Sequence, residues 1–373
     1  MTSSTRKAVN RRSVLALSAL AAGLWLAACG RAEAPAAPSA PAEAPAAQAE
    51  RVVNVYSARH YDSDKALFDA FTAATGITVR VREGDAAQLL ETLRQEGTGS
   101  PADVVIAADA GTMYRFQEAG LLQGVSDAGL EEAIPADLRE PGGHWFGLSL
   151  RMRVIAVDPA RVPDGAITGY ADLADPRWKG EVCVRSSSNV YNLSLLADLI
   201  DRWGQEQAAA WAAGVRANFA REPQGGDTDQ LKALAAGECS IALVNHYYWV
   251  RLSRSANEAD RAVAAASRLI VPEQGEGQRG VHANVTGAGI AAGSPNRDNA
   301  LVLLNYLAGP DGQAGLVVET GEITLAGAAE GTLLPFATQL AEGVAPRLRR
   351  ESLSVFGANQ SLARTLYEQA GWN

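Results

Sequence analysis

The 373-residue sequence predicts an α/β fold of two lobes, with mixed sheets flanked by helices and a cleft between the lobes. Three observations carry this. Short apolar runs alternate with amphipathic stretches of about ten to twelve residues, the pattern of βαβ units on a parallel sheet. The 323 residues from 51 onward exceed one typical core and suit two. Segments near 149–157 and 280–290 read as strands crossing between lobes, which makes a hinge around a cleft. Lobe 1 is expected to take residues 51–148 and about 281–325, and lobe 2 residues 149–280 and about 326–373.

At the N-terminus, Arg6, Lys7, Arg11 and Arg12 precede an apolar run from Val14 to Ala28, and the sequence breaks into Ala and Pro after Cys29. This is the layout of an export signal over residues 1–28. The run, about fifteen residues, falls short of the roughly 20 needed to span a bilayer. Leu26-Ala27-Ala28-Cys29-Gly30 resembles a bacterial lipobox, which would make Cys29 the lipidated first residue of a periplasmic, membrane-tethered chain. Arg11-Arg12-Ser13-Val14-Leu15 resembles a twin-arginine signal, although the same arginines also suit an ordinary secretory leader. Residues 29–50, almost wholly Ala, Pro and Glu, cannot bury a core and are expected to form the lipid-anchored linker.

Folding then starts near Arg51. Val52-Val53-Asn54-Val55-Tyr56 reads as a buried strand, and 64–75 as an amphipathic helix stopped by Gly76. Ile77 to Val81 returns as a strand; 86–96 is helical, 103–106 a strand and 110–119 a helix. In the second lobe, 153–157 is a crossing strand, 173–180 a turn, and 181–184 and 239–243 are strands around helices at about 192–203, 205–219 and 228–236. Residues 284–290 form the return crossing. Ligands on such sheets bind beyond the carboxyl ends of the strands, so the loops after Tyr56 and Ile106 face the cleft.

The whole chain holds 33 basic and 42 acidic residues, and residues 51–373 keep 28 and 39, a net −11. An acidic body argues against nucleic acid and anionic membrane surfaces as partners. With Cys29 given to lipid, Cys183 and Cys239 are an even pair in an oxidising compartment, where a disulfide is expected and two buried thiols are the alternative.

The chemistry concentrates in tyrosines. Tyr247 and Tyr248 follow the 239–243 strand, Tyr191 follows the 181–184 strand, and His60 and Tyr61 follow the first strand. An aromatic pair alone is more often packing than site. Four phenols and one imidazole from three strand ends, however, make a shell for a hard, highly charged cation. Phenolate is a hard oxygen anion; zinc would recruit Cys and His, and calcium or magnesium carboxylates. Fe3+ fits best, and with a phenol pKa of about 10 its binding should release protons and weaken in acid.

Tyr56-Ser57-Ala58-Arg59-His60-Tyr61-Asp62, Val184-Arg185-Ser186-Ser187-Ser188-Asn189-Val190-Tyr191-Asn192, Asn245-His246-Tyr247-Tyr248 and Gly225-Gly226-Asp227-Thr228-Asp229-Gln230, in that combination, resemble the ferric-ion-binding subunits of ABC importers, especially the cyanobacterial FutA type. The resemblance runs from about residue 51 to the end. It implies the type II periplasmic-binding-protein fold, ferric iron as cargo rather than turnover, delivery to a membrane permease by a monomer, and ligands at Tyr61, Tyr191, Tyr247 and Tyr248. A histidine matching His60 takes part in some members.

Arg59, Arg185 and Arg251 flank these segments. Four phenolates around Fe3+ leave one negative charge; a nearby arginine could balance it or hold a synergistic anion, and Arg251, three residues past Tyr248, is the leading candidate. His246 is expected to point into its lobe, and His144 and His282 to be structural. Another solute, an oxyanion or an organic cation in an aromatic box, is the second reading. An exported iron enzyme is the third, but the sequence offers no poised acid or base for it.

Overall fold

The computed structural model describes residues 51–59, 61–326, 346–349 and 351–372. The export signal, Cys29, the linker and His60 lie outside the described residues. Residues 49–373 form one compact unit.

The first third alternates as expected: β1 (Val52–Ser57), α1 (Ser63–Thr75), β2 (Thr78–Glu83), α2 (Ala86–Glu96), β3 (Val104–Ala107) and α3 (Ala110–Glu118). Gly76, at φ 69°, closes α1 in a conformation open to glycine at no steric cost. Asp85 and Asp109 cap α2 and α3 by accepting from the Gln88 and Thr112 amides, caps worth about 1 kcal/mol each. α4 (Ala128–Ala133), β4 (Phe146–Val157) and β5 (Val182–Cys183) follow. Then come α5 (Val190–Trp203), α6 (Gln205–Ala217), α7 (Asp227–Ala235), β6 (Ile241–Asn245), α8 (His246–Ser253) and α9 (Glu258–Ala265). β7 (Arg268–Ile270), β8 (Ala283–Ile290), α10 (Arg297–Ala308), α11 (Pro310–Val317), α12 (Val355–Ala358) and α13 (Gln360–Gln369) complete the described elements.

The strands run in the order β2-β1-β3-β8-β4-β6-β5, with β7 beside β4. β1 pairs in parallel with β2 and β3, and β5 with β6, as βαβ units require. Beyond β3 the pairing is mostly antiparallel: β8 returns antiparallel to β3 and to β4, which pairs antiparallel with β6 and β7 as well, so the sheet is mixed, as the sequence predicts.

β4 is the joint. Residues 146–152 pair mainly with β8, and residues 153–157 with β6. It begins seven residues earlier than the sequence pattern suggests, because all twelve positions are buried and no alternation marks it. Phe71, Phe116, Trp145, Phe146, Tyr170 and Phe356 are essentially fully buried, each contributing about 2 kcal/mol relative to exposure.

At the far end of the chain, Trp372 packs against Trp211, Phe219 and Tyr367. Cys183 and Cys239 form a disulfide across 56 positions of sequence. At the outer edge of the sheet, β2 exposes Arg80, Val81, Arg82 and Glu83. Among the described residues no helix is long and apolar enough to cross a membrane.

Candidate functional site

Three helix starts bring the four phenols together. Tyr61 stands beside Asp62, the N-cap of α1. Tyr191 is the second residue of α5, its amide donating to Asn189 Oδ1 at 3.0 Å. Tyr247 and Tyr248 lie in the first turn of α8, immediately after β6. A strand would send neighbouring side chains to opposite faces; a helix turns only about 100° per residue. That change from strand to helix at Asn245 lets two consecutive phenols share one space.

Their rings stack, with centroids 4.4 Å apart and planes 28° apart. Tyr247 donates a hydrogen bond to the Tyr191 hydroxyl at 3.1 Å. Tyr247 is fully buried, while Tyr61, Tyr191 and Tyr248 are half-buried. Burial, joined by the charges of Glu322 and Tyr191, pushes the Tyr61 phenol up to about 12. Burial and the neighbouring phenols likewise raise Tyr247 and Tyr248. Without a cation these groups therefore stay protonated at neutral pH. Helix N-termini carry about half a positive charge, which favours the anionic form once a cation displaces the protons.

The arginines around them are paired, Arg59 fully buried and Arg185 half-buried. Arg59 lies over the Tyr61 ring at 4.5 Å and bonds Asp64, Glu322 and the Leu316 carbonyl. Arg185 lies 5.4 Å over the Tyr191 ring and pairs with Asp227. Burial works against the Arg59 charge, but Glu322 and Asp64 more than offset it. Arg251 is not brought to the phenols. It sits exposed in the last turn of α8, one turn beyond Tyr248, and no hydrogen bond or ion pair joins it to them among the described residues.

Two arginines escaped the sequence reading. Arg151, 2 % exposed, donates to the Ala108 carbonyl, pairs with Glu322 at 3.1 Å and faces the Tyr191 ring at 5.9 Å. Arg153, 1 % exposed, pairs with Asp227 at 2.6 Å. Both stand on β4, two positions apart and hence on one face. Two arginines at that spacing inside an apolar run were the available signal, since a buried guanidinium requires a carboxylate partner. Glu322, fully buried and bonded by Ser149 at 2.6 Å, carries no such signal in the sequence.

The charges balance. Arg59, Arg151, Arg153 and Arg185 face Asp64, Glu322 and Asp227, leaving one positive charge. A trivalent ion held by four phenolates carries one negative charge.

The histidines are accounted for separately. His246 accepts from the Met152 amide at 3.1 Å through Nδ1, leaving Nε2–H to donate to the Gly321 carbonyl. Burial pushes it down to about 4, so it is a neutral part of the interior. His144 bonds Glu140, and His282 bonds Asp198. Among the described residues, no group of three or more His, Cys, Asp or Glu is placed to hold a metal ion.

Residues 99–326 match the bacterial extracellular solute-binding protein family model. Iron uptake protein A1 of Synechocystis is 40% identical over 349 residues, covering 93% of each chain. Iron uptake protein A2 of Synechocystis is 44% identical over 263 residues, 70% of this chain and 75% of that one. The Trichodesmium FutA structure, in complex with iron and citrate ligands, superposes with a TM-score of 0.79 at 41% identity, covering 86% of this chain and all of that one. With a family model over more than half its length and relatives of this likeness over nearly all of it, the chain belongs to the bacterial extracellular solute-binding proteins and has their type II periplasmic-binding-protein fold.

Proposed function

We propose that this protein captures ferric iron in the cleft through Tyr61, Tyr191, Tyr247 and Tyr248 and hands it to the permease of an ABC importer without turnover. The observation that carries this is the convergence of four phenols from three helix starts, inside a set of arginines and carboxylates whose one surplus positive charge neutralises a ferric tetraphenolate. Iron-binding relatives at about 40% identity support it.

The cation must displace every phenolic proton, which only a strongly polarising ion does near neutrality. Before loading, the neutral phenols leave the cleft net positive. That favours arrival of iron as an anionic chelate. His60, next to Tyr61, is an additional ligand in this proposal. Lobe 1 comprises residues 51–148 and about 281–325, lobe 2 the remainder of the folded chain, and β4 and β8 supply the crossings. The leader and Cys29 support a periplasmic, lipid-anchored location, and the protein is expected to act as a monomer.

Adding ferric citrate to the apo protein should give an orange-to-red phenolate-to-iron band. The reading fails if that band is absent and Tyr247→Phe/Tyr248→Phe binds iron as tightly as the wild type.

A further inference from the structure

Gly225-Gly226-Asp227-Thr228-Asp229-Gln230 contributes no phenol, yet its geometry is unusually determined. Gly225 has φ 65°, and a Cβ there would meet Asp229 Oδ2 at 2.4 Å. Asp229 turns back to accept from the Gly226 amide at 2.7 Å. Gln230 clamps the Gln224 and Gly226 carbonyls at 2.6 and 2.9 Å. The outcome of this turn is one fully buried carboxylate, Asp227, at the start of α7, near enough for its charge to act on Tyr248.

Its two oxygens are divided. Oδ2 accepts from Arg153 Nη1 at 2.6 Å and from the Asn245 amide at 2.7 Å. Oδ1 takes Arg185 Nη1 at 3.4 Å. Arg153 extends the network to Asn192 Oδ1 at 2.8 Å and Asn245 Oδ1 at 3.2 Å. Asn192 follows Tyr191, and Asn245 lies two residues before Tyr247. The backbone of Arg185 is held independently, its carbonyl accepting from Asn192 and Trp372 at 3.0 and 3.2 Å. Its side chain lies over the Tyr191 ring at 5.4 Å, and the charge of Tyr248 acts on it. One carboxylate therefore joins three helix starts and the guanidinium that lies over one phenol and is coupled to a second.

We propose that Asp227 is a positioning residue for the metal site: it holds Arg185 against Tyr248 and Tyr191 and, through Arg153 and the Asn245 amide, keeps the starts of α5 and α8 in register. This rests on the reading of the phenols as ferric ligands. Asp227 touches no iron itself. With its anionic charge removed, Arg185 loses the partner that sets its angle, and the donor strength and spacing of the Tyr191 and Tyr248 oxygens change together. Supporting partners of this kind shift metal affinity by about 10–100-fold.

The test compares Asp227→Asn, Arg185→Gln and the double variant as full folded chains, reading ferric affinity by citrate competition and the position of the visible band. The wild-type band is the control for the ligand reading; its absence sinks that reading and this one with it. With the band present, each single variant should bind about tenfold or more weakly with a displaced band, and the double variant no worse than the weaker single. Losses that multiply in the double variant, or a lowered melting temperature with an unmoved band, overturn the proposal and leave the ligand assignment intact. If Asp227→Asn does not fold, Arg185→Gln, at the half-exposed end of the network, decides: a tenfold loss with a displaced band supports the proposal, and an unchanged affinity and band overturn it.

Discussion

Tyr61 is held on the connection between β1 and α1, with its ring beneath Arg59, whereas Tyr191, Tyr247 and Tyr248 ride in the first turns of α5 and α8. Around the three, Asp227 and Arg153 bond both helix starts to β4 and to each other. Around the one, Arg59 bridges Asp64 and Glu322, so the phenol is steadied through a side chain rather than a helix. The difference assigns different work to the two sides. If the four phenols hold iron as proposed, the preorganised three-phenol side is expected to set how tightly it is held, and the single phenol, completing the shell, how readily it is lost.

The largest effect should separate the two sides directly. Tyr191→Phe removes a ligand and the acceptor of the Tyr247 hydroxyl, and is expected to weaken ferric binding by more than the roughly 100-fold typical of a lost supporting partner. Tyr61→Phe should cost less and act mainly through dissociation, read by stopped-flow release to a chelator. Equal losses with equal release rates would break the comparison.

Proton counting sharpens it. Burial raises the Tyr61, Tyr247 and Tyr248 phenols, Tyr61 to about 12, so each enters as the neutral acid and gives up a proton on binding. Because the apo protein holds the protons that the loaded protein lacks, affinity rises with pH and falls in acid. The slope of log affinity against pH, corrected for the competitor, should approach about three or more in the wild type and fall by about one in Tyr61→Phe. A slope near one would show that most phenols remain neutral.

Breaking the Cys183–Cys239 disulfide by paired Ser substitutions is expected to lower stability by about 2–4 kcal/mol, seen in the denaturation midpoint. The ferric band should persist, since β6 remains paired to β4 over five positions. The smallest effect is at Arg251→Gln, for which unchanged affinity and band are expected; a displaced band would return that arginine to the site.

Much of this was legible beforehand. The first βαβ units followed the written pattern because β1 and β3 are short, apolar and bounded by helices with clear stops. The tyrosines were legible as chemistry because each follows a strand. What stayed hidden has identifiable causes. The region after Asn245 reads as the end of a strand, and nothing in His246, Tyr247 and Tyr248 announces a helix, since aromatic residues form helices poorly and packing decides. The first half of β4 mixes Gly147, Ser149 and Arg151 with apolar residues and shows no period, because both its faces are buried. Arg251 looked nearer to the site than Arg151 because it is close in sequence, while Arg151 reaches the phenols only through folding of β4 beside β8 and Glu322.

The outer edge of the sheet has a consequence for crowding. β2 ends the strand order, so its far side has no partner within the described sheet, and such an edge invites a second chain to add a strand. Here the four consecutive exposed positions include Arg80, Arg82 and Glu83. An approaching copy would have to strip water from these charges before it could hydrogen-bond the backbone. Crowded copies of the protein can then collide often without zipping into ribbons, and their local concentration can rise without aggregation.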